Sequence, residues 1–128
     1  MIVIYGIDFK LAPIKAQLST VIHECLQEVL GLPEGKRAQR FVPLDQADFY
    51  YPEDRTDAYT VIDINMMAGR TVATKKALIH ALFANIEAKV GIAPIDIEIT
   101  IHEQPPHCWG FRGMTGDEAL DLTYKVNV

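Results

Sequence analysis

The chain has 128 residues, 49 % hydrophobic and 23 % charged, which is enough apolar material for one buried core and too much for a disordered polymer. Twelve basic against seventeen acidic residues give a net charge of −5, and without a Lys/Arg cluster this argues against nucleic acid or an anionic membrane as partner. No apolar run reaches the ~20 residues of a bilayer span, the segment from Met1 to Tyr5 lacks a secretory pattern, and Cys25 and Cys108 form no disulfide framework, so a soluble cytoplasmic domain is expected.

Taken in chain order, Met1 to Ile7 alternates with the period of a strand. Leu18, Val21, Ile22, Cys25, Leu26, Val29 and Leu30 then follow the spacing of one helix face, which Gly31 and Pro33 bring to an end. A polar strand is expected over Arg37 to Val42, before Pro43. Residues 45–59 are acidic, aromatic and rich in turn formers, so they read as a long linker. Thr60–Met67 predicts a strand with Ile62, Ile64 and Met66 on one face. A helix from about Val72 to Val90 should bury Leu78, Ile79, Leu82, Phe83, Ile86 and Val90, and stop at Gly91. Beyond Pro94, the alternation of Ile95, Ile97, Ile99 and Ile101 predicts a strand over Ile95–His102, and a C-terminal tail follows residue 115.

A shift of sixty positions lays the first half on the second without a gap. Ile2 and Ile4 fall on Ile62 and Ile64, Leu18, Ile22, Leu26 and Leu30 on Leu78, Leu82, Ile86 and Val90, and Lys10 on Arg70. The expected architecture is therefore α+β: one domain, 1–128, made of two β-α-β blocks at about 1–44 and 60–115 joined by the linker. Each block makes a parallel strand pair. Two such blocks can form a four-stranded sheet with both helices on one face, or a ferredoxin-like arrangement. In the first, the bare sheet face calls for cover by other subunits.

The second block carries a more specific pattern. Gly69-Arg70-Thr71 separates a strand from a helix bearing Lys75, and after Gly91 and an isoleucine-rich strand come His107, Cys108, Trp109, Gly110, Phe111, Arg112 and Gly113. This order resembles the tautomerase superfamily, and the doubled length is most similar to its malonate semialdehyde decarboxylase and cis-3-chloroacrylic acid dehalogenase branches. The resemblance implies a trimer of fused block pairs with sheets facing inward. It also implies an N-terminal proline whose secondary amine serves as base or acid. Here positions 1 and 2 are Met1 and Ile2, and a gap-free alignment sets the family's proline one residue before Met1. Lys36 stands where the decarboxylase branch has a water-activating carboxylate, and of its arginine pair only Arg70 is matched.

The candidate site residues follow from this pattern. Arg70 can bind a substrate carboxylate, with Lys10, Lys36 and Arg112 as further anion contacts. The resemblance implies that Trp109 and Phe111 supply an apolar wall, which would depress an amine pKa, while core or interface packing is their other reading. The Met1 amine, near pKa 7.7–8.0 when unperturbed, can replace the proline as a weak base. His102, His107 and Cys108 match no zinc spacing, so no metal is expected, and no phosphate or dinucleotide motif points to a cofactor. Two functions remain open. One is an isomerase of small 2-keto or enol carboxylates, with atypical or weak activity because the proline is missing. The other is a non-catalytic oligomeric binding or regulatory protein of the same fold. The expected partners are a small carboxylate and a second and third copy of the chain, or a hetero-oligomer with a proline-bearing homologue.

Overall fold

The computed structural model describes residues 1–119 and 124–128. Of the C-terminal tail expected after residue 115, residues 120–123 lie outside the described residues. Strand β1 (Ile2–Ile7) leads through a short helix α1 (Asp8–Leu11) into α2 (Lys15–Leu30) and strand β2 (Gln39–Leu44). Strand β3 (Thr60–Met67), helix α3 (Val72–Val90) and strand β4 (Ile97–Gln104) repeat the scheme. A small hairpin of β5 (Gly110–Phe111) and β6 (Met114–Thr115) follows. The linker holds a single 3-10 turn, Gln46–Asp48, among its residues.

The sheet order is β2-β1-β3-β4, with β1 parallel to β2, β3 parallel to β4, and β1 antiparallel to β3. Adjacent parallel strands within each block rule out the ferredoxin-like arrangement, in which such strands are separated by a strand of the other half. The repeat is kept to the residue. Ile2 pairs with Gln39 and Ile62 with Ile99, each exactly as a shift of sixty requires. Ile2, Ile4, Ile62 and Ile64 share the face turned to the helices, where they pack in one cluster with Leu18, Ile22, Leu78, Leu82 and Ile86. Helices α2 and α3 lie side by side on that face. On the other face Val3, Tyr5, Val42 and Val61 remain half-buried. Among the described residues no helix is long and apolar enough to cross a membrane.

Several boundaries differ from expectation for identifiable reasons. β2 spans Gln39–Leu44 rather than Arg37 to Val42: Pro43 sits inside an edge strand, where its missing N–H leaves no ladder bond broken. β4 begins at Ile97 instead of Ile95, because Pro94–Asp96 forms a 3-10 turn that leaves Ile95 half exposed at 51 %. Helix α3 matches its expected span, but only Leu78, Leu82 and Ile86 are fully buried, while Ile79, Phe83 and Val90 pack at the rim. Both long helices end in left-handed glycines, Gly31 at φ 71° and Gly91 at φ 84°. Helix α1 and the buried His23, whose Nε2 bonds the Glu34 carbonyl oxygen at 2.8 Å, carried no apolar period to announce them.

Candidate active site

The antiparallel register of β1 and β3 brings the start of one against the end of the other. The Met1 amine donates to the Asn65 carbonyl at 2.8 Å, and the Asn65 N–H donates back to the Met1 carbonyl at 2.9 Å. The terminal amine is thereby fixed at the end of the two central strands, on the N-terminal side of β1, rather than left swinging. Burial holds its pKa below the usual 8.0, and the positive charges of Arg40 and then Arg70 push it the same way. Arg40 reaches this end because it sits opposite Val3 in the β1–β2 pair.

Arg70 lies three residues beyond β3. The turn that carries it has Gly69 at φ 144°, and a Cβ on Gly69 would meet Val126 and Asn127 at 2.9 and 2.7 Å, so only glycine lets the tail close over this point. The Arg70 side chain is buried, 7 % exposed, and its Nη1 donates to the Met67 carbonyl at 3.2 Å. Its Nε is buried without a hydrogen-bond partner among the described residues. Burial opposes its charge, while Tyr124 and Glu103 favour it. Glu103 is itself held by Lys75 Nζ at 2.7 Å. The helix does not begin at Arg70: Thr71 is the cap, accepting from the Thr74 N–H at 3.1 Å, and α3 starts at Val72. Thr74 Oγ1 also donates to the Val128 oxygen at 2.5 Å.

Trp109 borders this corner. Its Nε1 donates to the Gln104 carbonyl at 3.1 Å, and Gly116 is squeezed between Trp109 and the methyl group of Met67. Phe111 and Arg112 belong to the hairpin itself, whose two-residue turn Arg112-Gly113 has φ 53° and 78°, the geometry of a type I′ hairpin. The Arg112 guanidinium stands 5.4 Å from the Phe111 ring centre. Lys36 is exposed in the turn closed by its N–H to the Pro33 carbonyl at 3.0 Å, ahead of β2. Lys10 is at the opposite end of β1, 3.3 Å from Asp57, and lines a cavity there. The fold of one chain thus sets the Met1 amine within the field of Arg40 and Arg70, carries Trp109, Phe111 and Arg112 at the hairpin after β4, and places Lys10 elsewhere. Arg40, Asn65 and Glu103 join the corner without having been expected.

His102 Nε2 lies 3.7 Å from Asp63 Oδ1, and no group of three His, Cys, Asp or Glu among the described residues is arranged to hold a metal ion.

An amine whose pKa is lowered by burial and by the positive charges of Arg40 and Arg70 can exchange a proton near neutral pH, and the same positive field attracts a carboxylate. A family model described as tautomerase enzyme matches residues 36–112. A probable tautomerase of Bacillus subtilis (strain 168), YusQ, is 26 % identical over 100 residues, covering 74 % of this chain and 79 % of its own length. The crystal structure of FG41 malonate semialdehyde decarboxylase inhibited by 3-bromopropiolate superposes with a TM-score of 0.78 at 28 % identity, covering 87 % of this chain and 88 % of that one. A fused 4-OT wild-type asymmetric trimer gives 0.80 at 24 % identity, covering 91 % and 96 %, a likeness of fold.

Proposed function

The chain belongs to the tautomerase enzyme family, and on that premise we propose that it interconverts the enol and keto forms of small 2-oxo carboxylates. The neutral Met1 amine takes the enol O–H proton as the electron pair of that bond becomes the carbonyl. The resulting ammonium returns a proton to carbon 3, so atoms and charge balance and no co-reactant is needed. Arg70 attracts the carboxylate by its charge and stabilises negative charge as it develops on the oxygen. Trp109 keeps the corner apolar, which favours the neutral amine.

The observation that carries this reading is a desolvated Met1 amine whose pKa is lowered further by the charges of Arg40 and the buried Arg70. Phenylenolpyruvate ketonisation tests it. Arg70→Ala is expected to lower kcat/KM about a hundredfold, in line with the loss of one charge-stabilising donor. Equal background rates in the parent and the variant would overturn it.

A second reading, a non-catalytic binding or regulatory protein, has one observation in its favour. Val126 and Asn127 lie against the Arg70 turn, so a carboxylate must share that corner with the tail. Saturable binding of a 2-oxo carboxylate without turnover would select it.

We extend the proposal to a single domain that assembles as a homotrimer. The half-buried Val3, Tyr5, Val42 and Val61 support this, as they form an apolar stripe on the face the helices leave open. A light-scattering mass three times the 14.3 kDa chain is expected.

A further inference from the structure

The shift of sixty that maps Lys10 onto Arg70 also maps Gly6 and Ile7 onto Met66 and Met67, and Gly91 onto Gly31. Gly6, Ile7, Lys10 and Gly91 all line one cavity of about 160 Å³ at the end of the central strands opposite Met1. We propose that this cavity is a second binding site, taking a small monocarboxylate with a compact apolar body and holding its carboxylate on Lys10 Nζ.

The walls fit such a ligand. Leu11, Ile14, Val90 and Ile92 are apolar, and the volume is close to the ~150 Å³ at which an apolar cavity admits a benzene ring. The Tyr59 side, also part of the lining, is held by aromatic packing, with ring centres 5.5 Å from Phe49 and 5.8 Å from Tyr51. Burial and Glu98 push the Tyr59 hydroxyl up to about 12, so it adds no negative charge to repel an anion.

Lys10 is the cation of the lining, and its present partner is easily displaced. Its Nζ lies 3.3 Å from Asp57, with side chains 47 % and 37 % exposed. An ion pair so open to water contributes little, so a ligand carboxylate can take the place of Asp57 with small loss. Turnover is not part of this site. The repeat position of the Met1 amine is Val61, whose nitrogen is a peptide amide with no basic electron pair. The site binds and does not move protons, and it stands or falls independently of the reaction at Arg70.

Glycine labelling gives a clean test. Protein labelled with ¹⁵N at glycine carries eight reporters; Gly6 and Gly91 line the cavity, whereas Gly69 sits in the Arg70 turn. Benzoate titrated to about 10 mM should move the Gly6 and Gly91 cross-peaks saturably. Lys10→Met, at an exposed position, should weaken that binding at least tenfold while leaving the remaining cross-peaks in place, and Asp57→Asn should tighten it. Movement of Gly69 alone, no movement at all, or the same Gly6 and Gly91 titration in Lys10→Met would each overturn the proposal. If both sets move, loss of only the Gly6 and Gly91 response in Lys10→Met upholds it.

Discussion

Asp96 fastens the linker to the second block, and its removal has a calculable effect. The carboxylate is 4 % exposed, accepting the Thr56 N–H on Oδ1 at 2.8 Å and the Thr56 hydroxyl on Oδ2 at 2.6 Å. Hydrogen bonds to charged groups contribute about 1.5–3 kcal/mol each. Thr56 is itself exposed, so its donors turn to water when the acceptor is lost, and the lower end of that range applies. Two bonds then sum to about 3 kcal/mol for Asp96→Ala. Asp96→Asn keeps a carbonyl for the N–H and should lose about half as much, roughly 1.5 kcal/mol. Urea unfolding at one fixed protein concentration, which excludes mass-action effects of assembly, measures both. Local opening can be read separately by trypsin, which would cut after Arg55, next to the fastened residue. Its rate should rise about a hundredfold in Asp96→Ala if the whole loss falls on the linker. Losses below about 0.5 kcal/mol in both variants, with unchanged cleavage, would refute the reasoning.

Three further outcomes are expected. Because the Met1 amine titrates below 8.0 in the folded chain, the folded state sheds its proton before the unfolded one does. Stability should therefore rise with pH between that lowered value and 8.0, and enol ketonisation should rise through the same folded value to a plateau; a rate that climbs only above 8.0 would exclude Met1 as the base. Cys108 is exposed, whereas burial pushes the Cys25 thiol up to about 11. A thiol reagent at pH 8 should titrate one fast cysteine in the native protein and the second only on unfolding, and two fast thiols would contradict the packing of α2. Trp109→Phe removes the bond to the Gln104 carbonyl and should cost about 1 kcal/mol with little change in kcat/KM, while Trp109→Ala should lower both. Equal activity in the alanine variant would remove Trp109 from the apolar wall.

The sequence made the repeat visible because each block writes its core in two periods, two for the strand and 3.6 for the helix. That is why Thr60–Met67 and Val72–Val90 were found at their true limits. It failed where periodicity and local chemistry disagree: Ile95 continues the isoleucine alternation, yet Pro94 turns the chain and leaves Ile95 in water. Four-residue α1 is too short to show a helical period at all. In the candidate site, Arg70 was singled out through the tautomerase resemblance, of which the Gly69-Arg70-Thr71 turn is one part. Arg40 was not, because its approach to Met1 depends on which strand lies beside β1, and that is a property of the sheet rather than of any local segment.

The antiparallel seam has a consequence for assembly. Ile2 pairs with Ile64 and Ile4 with Ile62, so the local twofold relating the blocks passes through the pair Val3 and Asp63, which occupy the same repeat position. Two first blocks meeting by mistake would set valine against valine there, a harmless contact. Two second blocks would set carboxylate against carboxylate at the axis, and like charges directly opposite are destabilising. Asp63 thus acts as an address label. It disfavours the pairing of two second blocks through this seam, whereas a first block meets a second one with valine facing carboxylate, whichever chain supplies it.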